Sequence, residues 1–375
     1  MGYVAVRGGE QAIANAETLL LMERAGGASE LLNPRQIREQ LYLAVDRVMG
    51  EGSLYAPDLA ALAFKQAAGD TLEAAFILRS YRTTLPRIGY AEPAVTEQMR
   101  IVRRISAAFK EIPGGQILGP TADYTLRLLN FDLEQESAQS NARVIRQLLQ
   151  AAGNLDPLPE SFPKVVELLR REGLLVSRSS AGDADTPVFD VTRQALSFPA
   201  PRSAQLQTLA RGETGGLLAL AYSNMRGYGS VHPVIGELRV GYLPVEMKHP
   251  LTGTPARIGE IKVTEAEVIA RLDQSDGEPR FTLGYGLCFG HNETKAIAMA
   301  VLDRAMGAAE PEAPSEDQEF VLTHVDGIES MGFCNHYKLP HYVTFQSDLD
   351  RLRHLRAARP SAEAAEGSEP KEIGS

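Results

Sequence analysis

Gly236-Glu237-Leu238-Arg239-Val240-Gly241-Tyr242 and, a little further on, Gly259-Glu260-Ile261-Lys262-Val263 decide the fold class of this chain. Both alternate charged and apolar residues, the period-two pattern of a strand with one buried face, and both open on a glycine. Glu237 and Glu260 read here as strand-face charges. The runs belong to a stretch, from about residue 187 to 290, where glycine is frequent and short apolar runs recur. What precedes it reads as helices. Asn33-Pro34 opens one, with Asn33 as N-cap and Pro34 at the first helical position. Ile37, Leu41, Ala44, Val45 and Val48 follow at helical spacing, and Gly50 ends the run. Asp70-Thr71-Leu72-Glu73 resembles a capping box with Asp at the cap, backed by Leu72, Ala75 and Phe76. A further helix is predicted over residues 96–110, burying Ile101, Ile105 and Phe109 and exposing Arg100, Arg103, Arg104 and Lys110. Helices first and strands later argue an α+β fold, a helical N-terminal region followed by a mixed strand and helix domain, over an alternating parallel sheet.

Composition supplies the remaining bounds. The 375 residues suffice for about two domains. We read 1–133 as a helical region and 134–186 as a linker with one short helix over 165–172, closed by Gly173. A mixed region, 187–306, ends in a helix from Asn292. Residues 307–356 form a C-terminal segment, and 357–375, rich in Ala, Glu, Ser and Pro, a disordered tail. The net charge of −10 argues against nucleic acid, whose backbone wants a basic surface. There is no run of 18 apolar residues and no signal peptide, so no membrane is expected. Two cysteines, Cys288 and Cys334, make no disulfide framework, and a reducing cytoplasm is the expected setting.

Gly332-Phe333-Cys334-Asn335-His336-Tyr337-Lys338-Leu339-Pro340-His341-Tyr342 holds two of the seven histidines, five residues apart. That spacing does not place both on one face of a helix, and Pro340 pushes Leu339 towards an extended conformation. A turn into a strand is predicted, with both imidazoles able to reach one point. Imidazole suits zinc, but two ligands do not close a tetrahedral site. The segment is either a surface loop with two unrelated histidines or an open site that water, substrate or another chain completes.

Three glycine-rich places are either tight turns or phosphate cradles: Ile112-Pro113-Gly114-Gly115-Gln116, Arg226-Gly227-Tyr228-Gly229-Ser230-Val231-His232 and Gly284-Tyr285-Gly286-Leu287-Cys288-Phe289-Gly290-His291-Asn292. The last reads as a strand feeding a helix N-terminus, which offers free N–H groups. None ends as a Walker A loop and none is a dinucleotide GxGxxG. Arg79, Arg82 and Arg87 cluster near a helix end, where they either complement the helix dipole or begin a polyphosphate site. The second reading needs arginines from more than one segment. No GxSxG elbow and no CxxC is present.

Taken together these segments resemble the PhnI family, the I subunit of the bacterial carbon–phosphorus lyase complex. The likeness runs through Tyr3-Val4-Ala5-Val6-Arg7-Gly8-Gly9-Glu10, Leu43-Ala44-Val45-Asp46-Arg47-Val48-Met49, Ser80-Tyr81-Arg82-Thr83-Thr84-Leu85, Leu118-Gly119-Pro120-Thr121, Ala219-Leu220-Ala221-Tyr222-Ser223 and His336-Tyr337-Lys338-Leu339-Pro340-His341-Tyr342, together with the glycine-rich segments, over roughly residues 3–355. The resemblance implies an α-D-ribose 1-methylphosphonate 5-triphosphate synthase subunit. Alone it would be a purine nucleoside triphosphate nucleosidase acting on ATP or GTP. With the G, H and L subunits it would place an alkylphosphonate where adenine leaves, in a core complex that also holds the J subunit. It also implies a zinc ion on His336 and His341, at a site shared with a partner subunit.

The chemistry assigns candidate roles. Cleaving the glycosidic bond passes through an oxocarbenium-like state. Arg82, Arg226 and the Gly114-Gly115-Gln116 turn are candidates for the triphosphate, with Mg²⁺ accompanying ATP. Asp123 or Glu237 would stabilise the positive sugar, and His232, like Arg226, would face the phosphonate or the leaving base. The second reading is a scaffold lending two histidines to a composite metal site.

Overall fold

Helices and one antiparallel sheet order the residues that the computed structural model describes: 9–152, 159, 162–176, 188–228, 232–271 and 278–366. The chain divides into two units, Glu30–Ile328 and, together, Met1–Ser29 with Glu329–Ser375. The α+β class holds. In the smaller unit α1 (Glu10–Ala25) buries no residue.

The larger unit opens with four helices. Before α2 (Pro34–Gln40), Asn33 accepts from Gln36 N and its own N–H donates to Gln36 Oε1, a complete capping box. The single helix expected here is two. The chain turns at Leu41, and α3 (Tyr42–Gly52) runs past Gly50 to Ser53, which takes a left-handed φ of 54°. After α4 (Pro57–Gln66), Asp70 caps α5 (Thr71–Thr83) through Leu72 N and Glu73 N. The reciprocal arm is not made, because Asp70 N donates to Ala67 O. Ile37, Val45, Val48, Met49, Ala60 and Leu78 close this cluster.

The helix predicted over 96–110 is instead a 3₁₀ turn, Thr96–Gln98, and a strand, β1 (Arg100–Ile105). Arg103 and Arg104, expected on the surface, are fully buried. A bulge between Ile101 and Arg103 breaks the pairing register. It leaves these adjacent arginines against different partners: Arg103 on Glu293, Asp123 and Leu118 O, and Arg104 on Glu237. Much of the expected linker is also ordered, as α6 (Ala138–Ala152), whose described side chains lie largely exposed. The short α7 (Val166–Arg171) closes at Gly173, φ 71°, as expected. Two helices, α8 (Arg202–Arg211) and α9 (Thr214–Ser223), occupy the start of the stretch read as strand-rich.

The two opening runs then fall in β2 (Val234–Lys248) and β3 (Pro255–Arg271), which with β4 (Phe281–Phe289) complete a sheet of order β1-β2-β3-β4, antiparallel throughout. One face packs on α10 (Glu293–Ala305), joined by α8, α9 and α11 (Gln318–His324) around Leu209, Leu217, Leu238, Ala266, Met299 and Val321. Glycine is required where α10 crosses β4. A Cβ on Gly284 would lie 1.9 Å from Ala300 O, and one on Gly286 2.2 Å from Ala296 O. The Gly284-Tyr285-Gly286 segment is thus a helix-packing surface.

The other face carries charge. Cross-strand neighbours Arg104↔Arg239↔Glu265 and Glu237↔Glu267↔Tyr285 line up on it. Glu237 takes Arg104 at 2.6 Å and Arg239 at 2.9 Å, and Lys164 comes over to Glu265 at 2.6 Å and Glu267 at 3.2 Å. Tyr285 OH donates to Glu265 Oε1. The second oxygens of Glu265 and Glu267 are buried without a hydrogen-bond partner among the described residues. Burial lifts the Glu267 carboxyl to about 7 against the pull of Lys164, with Glu265 and Glu237 pushing the same way.

Single bridges close both sheet edges. Ile117 pairs with Arg104 outside β1, and Leu175 with Phe281 outside β4.

The histidine segment is a helix–turn–helix and not a turn into a strand. α12 (Gly327–His336) ends in a tight turn, Tyr337 N to Cys334 O and Leu339 N to His336 O, and α13 (Tyr342–Glu366) starts beyond Pro340, with Phe345 N bonding back to His341 O. α13 also carries the expected disordered tail as helix to Glu366, and 367–375 lie outside the described residues. Among the described residues no helix is long and apolar enough to cross a membrane.

Candidate functional site

The end of α5 delivers Arg79 and Arg82, and the chain beyond it delivers Arg87. Arg211 arrives from the end of α8, a separate segment. These four guanidiniums meet at a cleft of about 580 Å³ in the larger unit, on which Arg82, Arg87 and Arg211 open directly. Its floor is apolar, made by Leu243, Ile261, Val263, Leu287 and Phe289, and Tyr90 and Phe189 add aromatic walls. Arg82 and Arg87 also line a second chamber of about 540 Å³ with Thr83, Arg193 and Met247, so the two arginines stand where the spaces adjoin.

Three of the four arginines are held. Arg79 chelates Asp326 at 2.9 and 2.7 Å and donates to Glu51 O. Arg211 donates to Val191 O and stands 3.9 Å from Asp326. Arg87 meets Asp190 at 3.1 Å and Thr192 Oγ1 at 3.2 Å, over the Tyr90 ring. Arg82 is half-buried, and its guanidinium makes no hydrogen bond or ion pair with a described residue. Burial, followed by the charges of Arg211, Arg79 and Arg87, holds its pKa below the ordinary value, and Asp190 opposes them. A half-buried cation with no ion pair among the described residues is costly until an anion joins it.

Asp190 is fixed at the rim. Its Oδ1 accepts from Thr192 N at 2.9 Å and Thr192 Oγ1 at 2.6 Å. Tyr90 OH reaches its Oδ2 at 3.4 Å. Burial raises its carboxyl, but the Thr192 hydrogen bonds and the charges of Arg87 and Arg193 outweigh that and keep it below the usual carboxylate range. The sequence reading singled out neither Asp190 nor Arg211. A signal existed in Asp190-Val191-Thr192, the pattern of a carboxylate turning onto the amide two residues on.

The other candidates lie apart from this cleft. Glu237 is buried in the ionic layer, where it also accepts from Val165 N. Gly114 and Gly115 take φ of 82° and 78°, and in their turn Pro113 O and Gly115 O accept from Arg104 while Gly115 N donates to Ile112 O. Gln116 ties the preceding loop through Ser106 N, Phe109 O and Lys110 O. Asp123 lines a different cleft of about 560 Å³ with Arg47, Arg127, His291 and the start of α10, and pairs with Arg103 and Arg127. Arg226 is exposed on a π turn, donating to Tyr222 OH, and His232 is exposed. Residues 229–231 of that motif lie outside the described residues. Asn292 stands at the start of α10 but caps nothing with its side chain, which donates to Asp46 O and Phe289 O.

In the smaller unit the two histidines do converge, with Nε2 to Nε2 at 3.0 Å. His336 Nδ1 lies 3.1 Å from Phe333 O and His341 Nδ1 2.6 Å from Leu339 O. A carbonyl only accepts, so each Nδ1 carries the proton and each Nε2 a lone pair. Two facing lone pairs repel unless a proton or a cation lies between them. A second nitrogen anchored on a carbonyl is also the usual setting of a metal-bound imidazole. Among the described residues no group of three or more His, Cys, Asp or Glu gathers as a metal site.

The fold and cleft define an α+β protein with an arginine-lined cleft over an apolar floor and a separate, paired-histidine turn. The chain belongs to the family described as bacterial phosphonate metabolism protein (PhnI), whose model matches residues 2–359. It is 57% identical to HtxH of Stutzerimonas stutzeri, provisionally named a C-P lyase subunit protein, over 97% of this chain and all of that protein. It is 47% identical to the alpha-D-ribose 1-methylphosphonate 5-triphosphate synthase subunit PhnI of Rhizobium meliloti (96% and 97% covered) and 47% identical to that of Escherichia coli (94% and 98%).

Proposed function

We propose that this chain is the PhnI-type subunit of a carbon–phosphorus lyase system and that its arginine cleft holds a purine nucleoside triphosphate for glycosidic cleavage. The observation that carries the reading is Arg82, a half-buried guanidinium that forms no ion pair with a described residue, set among Arg79, Arg87 and Arg211. A polyphosphate supplies the missing charge, and the apolar floor suits a purine face. The base occupies the cleft with the apolar floor and the phosphates meet the arginines, with the second chamber open to their far end. Mg²⁺ accompanies the triphosphate and shares its charge. With the G, H and L subunits an alkylphosphonate replaces water at the anomeric carbon, and the J subunit joins the core complex.

His336 and His341 suit zinc, with both Nδ1 protons anchored on carbonyls and both Nε2 lone pairs free. Bound there, zinc would supply a Lewis acid or a structural clamp. The remaining ligands come from a partner subunit or solvent.

The test is direct. Purified alone with Mg²⁺, the chain should convert ATP to adenine and ribose 5-triphosphate, resolved by chromatography. Release of phosphate or pyrophosphate without adenine refutes the glycosidic reading. The two-histidine turn favours a second reading, a scaffold completing a composite metal site, and a chain that releases no base but binds zinc with its partners fits that one.

A further inference from the structure

We infer that Asp190 is the catalytic carboxylate of the cleft, the group that faces the sugar as its bond to the purine breaks. The inference rests on the nucleotide reading given above. The two carboxylates suggested by the sequence are placed elsewhere. Glu237 is sealed in the ionic layer under two arginines, and Asp123 opens on a different cleft. Of the residues lining the cleft with the apolar floor and the arginine rim, Asp190 is the one carboxylate among those described. It stands between the two regions a nucleoside triphosphate must bridge. Phe189 and Val191, its neighbours in sequence, join the apolar wall, and Arg87, its ion-pair partner, joins the rim. A base on the floor and phosphates on the arginines leave the ribose beside it.

The site also keeps this carboxylate in the form the reaction needs. Thr192 supplies two hydrogen bonds to one oxygen, while Tyr90 and Arg87 address the other. The charged and titratable groups around it are Arg87 and Tyr90 from the segment after α5, Arg82 from α5 and Arg193 from its own loop. The charged groups among them are all cationic, so Asp190 stays ionised at neutral pH. It need not accept a proton during the reaction. The C1′–N9 bond breaks and its electron pair leaves with the purine. Water's oxygen forms the new bond to C1′, and the proton that water loses balances the one the purine gains through solvent. Asp190 remains negative and lowers the energy of the positive charge shared by C1′ and the ring oxygen. Fixed charge aimed at developing charge is the arrangement that accelerates such steps.

The experiment uses the full chain with Mg²⁺ and ATP, reading adenine release. Asp190→Asn keeps shape and one acceptor oxygen but removes the charge. We expect kcat to fall roughly 10²–10³-fold, the usual scale for deleting one pre-aimed electrostatic group, with KM little changed. A kcat within about tenfold of the parent, or a loss confined to KM, overturns the assignment and leaves Asp190 as an anchor for Arg87. A second variant guards against misfolding. Thr192→Val removes the hydroxyl hydrogen bond that depresses the Asp190 pKa, so the acid limb of the kcat–pH profile must move to higher pH. A limb that stays in place overturns the proposal whether or not Asp190→Asn folds. If the parent chain releases no adenine, the nucleotide reading itself has failed. If the parent is active and both variants match it, only the assignment of Asp190 has failed.

Discussion

Replacing Glu267 by Gln should make the protein's stability less sensitive to alkali. Glu267 sits on the charged face of the sheet, 5% exposed, opposite Glu237 and two residues from Glu265, with one carboxylate oxygen lacking a hydrogen bond among the described residues. Burial lifts its carboxyl from 4.5 to about 7. The native state therefore holds a proton that the unfolded chain gives up. A carboxyl raised in this way contributes stability that is full below the unfolded value and is lost as pH rises through about 7. Between pH 5 and pH 8 the loss integrates to about 2–3 kcal/mol. Gln resembles the protonated acid and does not titrate. Lys164 keeps Glu265 at 2.6 Å in the variant. Urea unfolding of parent and variant at pH 5, 6, 7 and 8 is the assay. Every other titrating group is common to both proteins, so the difference between them reports Glu267 together with its coupling to Glu265, Glu237 and Lys164. The parent should lose about 2–3 kcal/mol more than the variant over that range. Parallel stability curves would mean that Glu267 is ionised in the native protein, and the reasoning from burial would be wrong.

Three further outcomes are expected. Arg82→Ala should weaken the use of ATP by ten- to a hundred-fold, about 1.5–3 kcal/mol for a charge-assisted hydrogen bond, and leave adenosine far less affected; steady-state kinetics on both substrates checks it, and equal losses would refute a phosphate contact. His336→Ala and His341→Ala should each remove zinc from the assembled complex, measured by elemental analysis, while adenine release by the isolated chain persists. Gly286→Ala drives a methyl group onto Ala296 O and Met299 and should cost about 1–3 kcal/mol by urea denaturation.

Local chemistry was legible where local chemistry decides. Asn33 and Asp70 cap the helices they were expected to cap, and the Gly236 and Gly259 runs fall in adjacent strands. β1 was misread because Ile101, Ile105 and Phe109 fall at helical spacing and arginine is usually exposed. Of the carboxylates that hold Arg103 and Arg104 buried, Glu293 and Glu237 stand 190 and 133 residues away, and even Asp123 is 20 residues on. The helices α8 and α9 escaped notice because Gly215 and Gly216 argue against a helix start. In the structure Glu213 caps α9 through those two amides. At the cleft, Arg82 and its two neighbours were visible as a cluster. Their meeting with Arg211 and Asp190 depends on how α5, α8 and the loop before α8 pack. The histidines met as their sequence allowed, though on a turn between helices.

The two single bridges at the sheet margins bear on how this chain joins others. An open strand offers a row of unpaired amides and carbonyls on which a foreign strand can grow. Here Ile117 exchanges both backbone hydrogen bonds with Arg104 at 2.7 Å on one margin, and Val176 N and Leu174 O engage Phe281 on the other. Each margin is covered at one position by its own chain. A neighbouring protein cannot extend the sheet through those positions, so association there has to go through side chains, whose identities select a partner, and not through backbone, which accepts any strand.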